Sequence, residues 1–119
     1  MFFLSIFAKL FDRKSEVVTM TDEEITRILP NGESESVRFD DLIEVSIVTT
    51  DQGPFVEDLF YVLRGHNGAA VIGLDWACRL NLLGKIAPLP KFDLEETIRA
   101  SSSCENNVFV LWSEEWLKK

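Results

Sequence analysis

The longest regular run of alternating apolar and polar positions lies in residues 36–49, where Val37, Phe39, Ile43, Val45, Ile47 and Thr49 all occupy odd positions. A period of two belongs to a strand with one buried face. Asp51-Gln52-Gly53-Pro54 supplies turn chemistry, and residues 55–63, rich in aromatic and branched side chains, read as the returning partner. The spacing predicts that this pair is the centre of an antiparallel sheet. Asp40-Asp41 interrupts the alternation and predicts a bend or bulge where the first strand changes direction.

Upstream, residues 16–20 read as a short strand and residues 25–29 as its return, with Ile25, Arg27 and Leu29 on one side. Between them Thr21-Asp22-Glu23-Glu24 fits a polar turn, and also the start of a single helical turn. Pro30-Asn31-Gly32 is a strong turn signal, because proline presets φ and Asn-Gly accepts positive φ. Downstream, Arg64-Gly65-His66-Asn67-Gly68 predicts a turn and residues 69–74 a fifth strand.

The period then lengthens to three and four. Asp75 is expected to cap a helix carrying Trp76, Leu80 and Leu83 and ending at Gly84. Pro88 and Pro90 bound a rigid connector. Asp93 opens a second helix to about residue 100, with Leu94 and Ile98 inward, and residues 108–112 form a last strand. The expected fold class is α+β: an antiparallel five- to six-stranded meander sheet with two helices packed on one face and an optional short N-terminal helix. Residues 1–14 form an apolar amphipathic segment, 15–113 a single α+β domain, and 114–119 a polar tail.

Composition narrows the class. A chain of 119 residues with 46% apolar and 27% charged content is globular rather than disordered. The net charge of −8 is uneven: Lys9, Arg13 and Lys14 against Asp12 make residues 1–14 net +2, so the remainder carries −10. An acidic body argues against a phosphate-backbone partner and suits a basic protein partner. In residues 1–14, Phe2, Phe3, Phe7, Leu10 and Phe11 fall on a broad apolar arc, too short to span a membrane but able to lie in its interface, on a partner or on the chain's own sheet. Cys78 and Cys104 have no metal-type spacing and are expected to be reduced, buried and cytoplasmic.

The run Ser36-Val37-Arg38-Phe39-Asp40-Asp41-Leu42, with Glu44-Val45 and Thr49-Thr50-Asp51-Gln52-Gly53-Pro54-Phe55, resembles a family of small uncharacterised bacterial proteins. Leu89-Pro90-Lys91-Phe92-Asp93 and the terminal strand with Trp112 extend the resemblance over residues 17–112. The chain departs from that pattern at Phe39, where the family carries Trp, and at Lys91, where it carries Gly. The resemblance implies no activity for any residue. A looser likeness, from Asn31-Gly32 to Leu42, is to pleckstrin-homology-like sheets, from which the two helices before the final strand depart.

No catalytic constellation stands out. His66, the single histidine, sits in a Gly-flanked turn with no nucleophile beside it in sequence. His66, Asp75, Cys78 and Cys104 lack paired metal-ligand spacing, and Gly65–Gly68 lacks the Lys-Ser/Thr of a phosphate loop. Asp41 is singled out because it occupies the inward phase of the strand, where a carboxylate must accept hydrogen bonds. The expectation is a non-enzyme without cofactor or metal: a cytoplasmic protein-binding domain, most concretely an immunity-type protein masking a basic toxin. Candidate partner-binding residues are Asp40, Asp41, Glu57, Asp58 and Trp116. The alternative is a membrane-peripheral or adaptor domain anchored by residues 1–14, and a small-molecule binder or enzyme is a lesser one.

Overall fold

The computed structural model describes residues 16–51 and 59–118. Strands β1 (Val17–Met20), β2 (Glu24–Ile28) and β3 (Ser34–Arg38) form a three-stranded antiparallel sheet in chain order. Strands β4 (Leu42–Thr49), β5 (Leu59–Gly65), β6 (Ala69–Gly73) and β7 (Asn107–Ser113) form a second antiparallel sheet in the order β6-β5-β4-β7. Helices α1 (Leu74–Leu80), α2 (Leu82–Ile86) and α3 (Leu94–Ser101) lie between β6 and β7, and short 3-10 turns occupy Phe39–Asp41 and Glu114–Lys118. The protein is therefore α+β with antiparallel sheets.

The expected single meander is divided in two. What reads as one alternating strand is β3 and β4, separated by the 3-10 turn at Phe39–Asp41 and belonging to different sheets. Odd residues of both strands reach one core, Val37 from β3 and Val45 and Ile47 from β4, but directly after the break it is Leu42 that is buried and Ile43, expected inward, is only half-buried. The predicted irregularity is real and larger than a bulge, and the β4–β5 register also shifts between Leu42 and Glu44. β4 and β5 are the inner pair of their sheet, and β7 pairs with β4 rather than extending the meander.

The first hairpins follow local chemistry. Thr21 Oγ1 accepts the N–H groups of Glu23 and Glu24 at 3.2 and 3.1 Å, which turns the chain between β1 and β2 instead of starting a helix. At the next turn Gly32 has φ 91°, and Asn31 Oδ1 accepts the Glu33 N–H at 2.9 Å. The predicted turn at 51–54, apart from Asp51, and residues 55–58 lie outside the described residues, as do residues 1–14.

The helical region differs from expectation in its caps and its faces. α1 starts from Gly73 without a side-chain cap, and Asp75 instead pairs with Arg79 one turn later at 2.8 Å. Asn81, at φ 54° and ψ 50°, ends α1 in the left-handed conformation, and Gly84 lies within α2 rather than ending a helix. Asp93 does cap α3, accepting the Glu96 N–H at 3.0 Å. The buried face of α3 is Thr97 and Ala100; Leu94 and Ile98, expected inward, are 51% and 62% exposed. The large inward residues on the sheet, among them Ile47 and Leu111, leave room for small side chains on this helix. Ala77, Leu82, Ile86 and Ala100 join Val18, Ile25, Val37, Ile47, Leu63, Ile72 and Leu111 in one core beneath the helices. A separate cluster, Val48, Phe60, Val62 and Val71, lies on the other face of the four-stranded sheet.

Candidate partner-binding surface

Asp40 and Asp41 point to different tasks. Arg38 ends β3 and forks onto Asp40, its Nε and Nη2 donating to the carboxylate oxygens at 3.2 and 3.4 Å, with Glu23 4.0 Å away. The hydrogen bond to Asp40 raises the Arg38 guanidinium above its ordinary range. Cross-strand pairing brings Glu24 opposite Arg38. Glu23, Glu24 and Asp40 therefore surround one arginine at this end of the molecule, with Asp22 exposed beside them.

Asp41 acts within the fold. Its Oδ2 accepts the Asn67 N–H at 2.9 Å, and its carbonyl accepts the His66 N–H at 3.1 Å. The carboxylate thereby ties the β5–β6 turn to the 3-10 turn that separates the sheets. A Cβ on Gly65 would come within 2.9 Å of the Asp41 carbonyl oxygen, so the side-chain-free position lets these two turns approach. Between them lies an open depression of about 480 Å³, lined by Ser36, Arg38, Asp40, Asp41 and Asn67.

Trp116 lies half-buried in the 3-10 turn after β7, against the main core, and its carbonyl accepts from Lys91 Nζ at 3.0 Å. With Phe92, Leu94 and Glu95 it borders a second open depression of about 550 Å³. Lys91 has φ 66°, in the left-handed region that glycine enters without a steric cost. Trp116 and Asp40 stand in separate depressions. Glu57, Asp58, Phe2, Phe3, Phe7, Leu10 and Phe11 lie outside the described residues.

His66 Nε2 meets Glu114 at 3.0 Å on the surface. Cys78 and Cys104 are free and exposed, not buried as expected. Among the described residues no three His, Cys, Asp or Glu side chains converge on a common point. No helix among them is long and apolar enough to cross a membrane.

Sequence reasoning missed a buried charge network. Arg27 is 1% exposed, pairs with Glu16, and donates from Nη1 to Glu35 Oε1 at 3.2 Å. The same Glu35 oxygen accepts the Val71 N–H at 3.1 Å, so a β3 side chain satisfies the open edge of β6. The signal was present: Arg27 shares the phase of Ile25, Glu35 that of Val37, and Glu16 that of Val18.

Tyr61, on β5, borders a cavity of about 270 Å³ beneath α3 with Ile47, Thr97 and Ser103. Burial, and secondarily the nearby Cys78 side chain, push its phenol above the ordinary tyrosine range. The folded protein resists an ionisation that the unfolded chain undergoes near pH ~10. This contribution to stability is complete below that pH and is lost as pH rises toward and through the folded-state value. Tyr61→Phe should flatten the decline in urea midpoint between pH 9 and pH 11 (about one unit either side of the ordinary value). Parallel declines for the two proteins would show that Tyr61 does not drive it.

No protein-family model, curated protein or solved structure matches the chain.

Proposed function

We propose that this protein is a non-catalytic, protein-binding domain that covers a basic surface of its partner, most concretely a bacterial immunity-type protein masking a basic toxin domain. The observation that carries this reading is the acidic end of the three-stranded sheet, where Glu23, Glu24 and Asp40 gather around Arg38 and Asp22 is exposed in the adjoining turn. The net charge of −8 extends the same field over the whole molecule. A field of this sign accelerates encounter with a cationic partner and disfavours acidic ones. Two free, exposed thiols support a reducing, cytoplasmic setting. The resemblance of residues 36–55 to small bacterial proteins supports the bacterial setting.

The test is co-expression with the product of the adjacent gene, followed by purification at low salt and a growth assay with and without this protein. A retained complex and protected cells are the expected results; neither retention nor protection would end the proposal. In the complex, Glu23→Lys with Asp40→Lys should slow association by about tenfold at low ionic strength and by much less at high salt. An association rate that ignores both substitutions would move the interface elsewhere.

A further inference from the structure

The cavity beneath α3 has an apolar floor, an open mouth and a buried hydroxyl without a partner. Ile47, Leu59 and Tyr61, only 1%, 7% and 6% exposed, line the floor from β4 and β5, and Thr97 lines it from α3. Leu74 and Cys104, both exposed, stand where it opens. None of the described residues that line it is charged. Thr97 Oγ1 donates to the Asp93 carbonyl at 3.3 Å, and Ser103 Oγ lies 3.2 Å from Thr49 Oγ1. The Tyr61 hydroxyl, by contrast, makes no hydrogen bond with any described residue. A buried phenol ordinarily finds a partner, because a polar group left dry and unpaired costs free energy. With its ionisation pushed up by burial, this phenol stays protonated at neutral pH and is free to donate.

We infer that the cavity is a binding site for a small uncharged ligand whose apolar body packs on Ile47, Leu59 and Leu74 and whose acceptor oxygen takes a hydrogen bond from Tyr61. Three observations set the class of ligand. The volume of about 270 Å³ lies just under the ~300–1,000 Å³ of ordinary small-molecule sites, which limits the occupant to about one ring with a short substituent. The uncharged lining offers no counter-ion, so an ionised ligand would shed its hydration without replacement. The unpaired donor asks for an acceptor, and the aliphatic floor suits water poorly, since a buried water needs about two to four polar partners. Aryl and cyclic ketones and esters meet all three conditions. The site shares no residue with the acidic end around Arg38, so it stands or falls apart from the protein partner proposed above.

Tyr61 is the only tyrosine in the chain, so ring-labelled tyrosine gives a single magnetic-resonance reporter in the full-length protein. The probe is acetophenone; ethylbenzene is its counterpart without the acceptor, and benzoate its charged counterpart. Acetophenone should shift the Tyr61 ring signal saturably. It should also slow alkylation of Cys104 at the mouth and leave that of Cys78, which does not line the cavity, unchanged. It should bind about fivefold more tightly than ethylbenzene, the effect of one hydrogen bond, and benzoate should not bind. Tyr61→Phe keeps the ring, so acetophenone and ethylbenzene should then protect Cys104 equally well. If that variant fails to fold, the preference for acetophenone over ethylbenzene in the unaltered chain decides alone. A Tyr61 signal that acetophenone leaves unmoved up to its solubility overturns the inference. Equal binding of acetophenone and ethylbenzene by the unaltered chain does so too, as does benzoate binding as well as acetophenone.

Discussion

Replacing Arg27 with alanine should lower the free energy of unfolding by about 3–5 kcal/mol, because it removes a buried guanidinium from beside the buried carboxylates of Glu16 and Glu35. The loss should appear as a lower urea midpoint with little change in slope. The cause is desolvation rather than a missing attraction, and a compensating variant separates the two. Arg27→Met combined with Glu16→Leu and Glu35→Gln removes the charges together and keeps an acceptor for the Val71 N–H, so it should recover most of the loss. A loss below about 1 kcal/mol for Arg27→Ala would mean that water reaches the carboxylates when the arginine is gone, and that the burial account is mistaken.

Gly68→Ala should be the costliest of the single-methyl additions. Its Cβ would fall 2.2 Å from the Ser36 carbonyl oxygen, a backbone atom of β3 that cannot rotate away. This is where the β5–β6 turn presses on the neighbouring sheet, with the Asp41 carboxylate holding Asn67 from the side. Separating the sheets at this point should cost about 3 kcal/mol, the upper end for overpacking. Gly32→Ala is the comparison. It has φ 91° but nothing within 4 Å, so it carries only the backbone penalty of about 1–2 kcal/mol. A thermal melt of the two variants ranks them, and equal losses would show that the contact with Ser36 relaxes at no cost.

Both predictions concern the junction of the two sheets, which the chain's patterning conceals. The alternation places Val37, Val45 and Ile47 correctly in the core, but it fails next to the turn, where Leu42 is buried in place of Ile43. It cannot report that the residues on either side of Phe39–Asp41 belong to different sheets, since the register shift between Leu42 and Glu44 returns the strand to the odd phase it had before the turn. Asp41 was legible as a carboxylate needing backbone donors. The donor that satisfies it, the Asn67 N–H, is 26 positions away and is supplied by another turn. For α3, capping chemistry located the start at Asp93, but helical spacing favoured Leu94 and Ile98 over the small Thr97 and Ala100 that the packed sheet admits. The acidic surface shows the same division. Asp40 is apparent as a charge from sequence, whereas its company of Glu23 and Glu24 around Arg38 depends on the pairing of β2 with β3.

Local patterning by itself determined the α+β class, the hairpin turns at Thr21 and Asn31-Gly32, the inner pair of the larger sheet and the unequal spread of charge. These follow from steric and hydrogen-bonding rules that act over a few residues. Only tertiary structure decided that there are two sheets, that Arg27 is buried between Glu16 and Glu35, and which face of α3 is covered. Each of those outcomes is set by what another, distant segment brings to the contact: a carboxylate from β3, a backbone N–H from β6, or a bulky sheet side chain that leaves room for no more than an alanine.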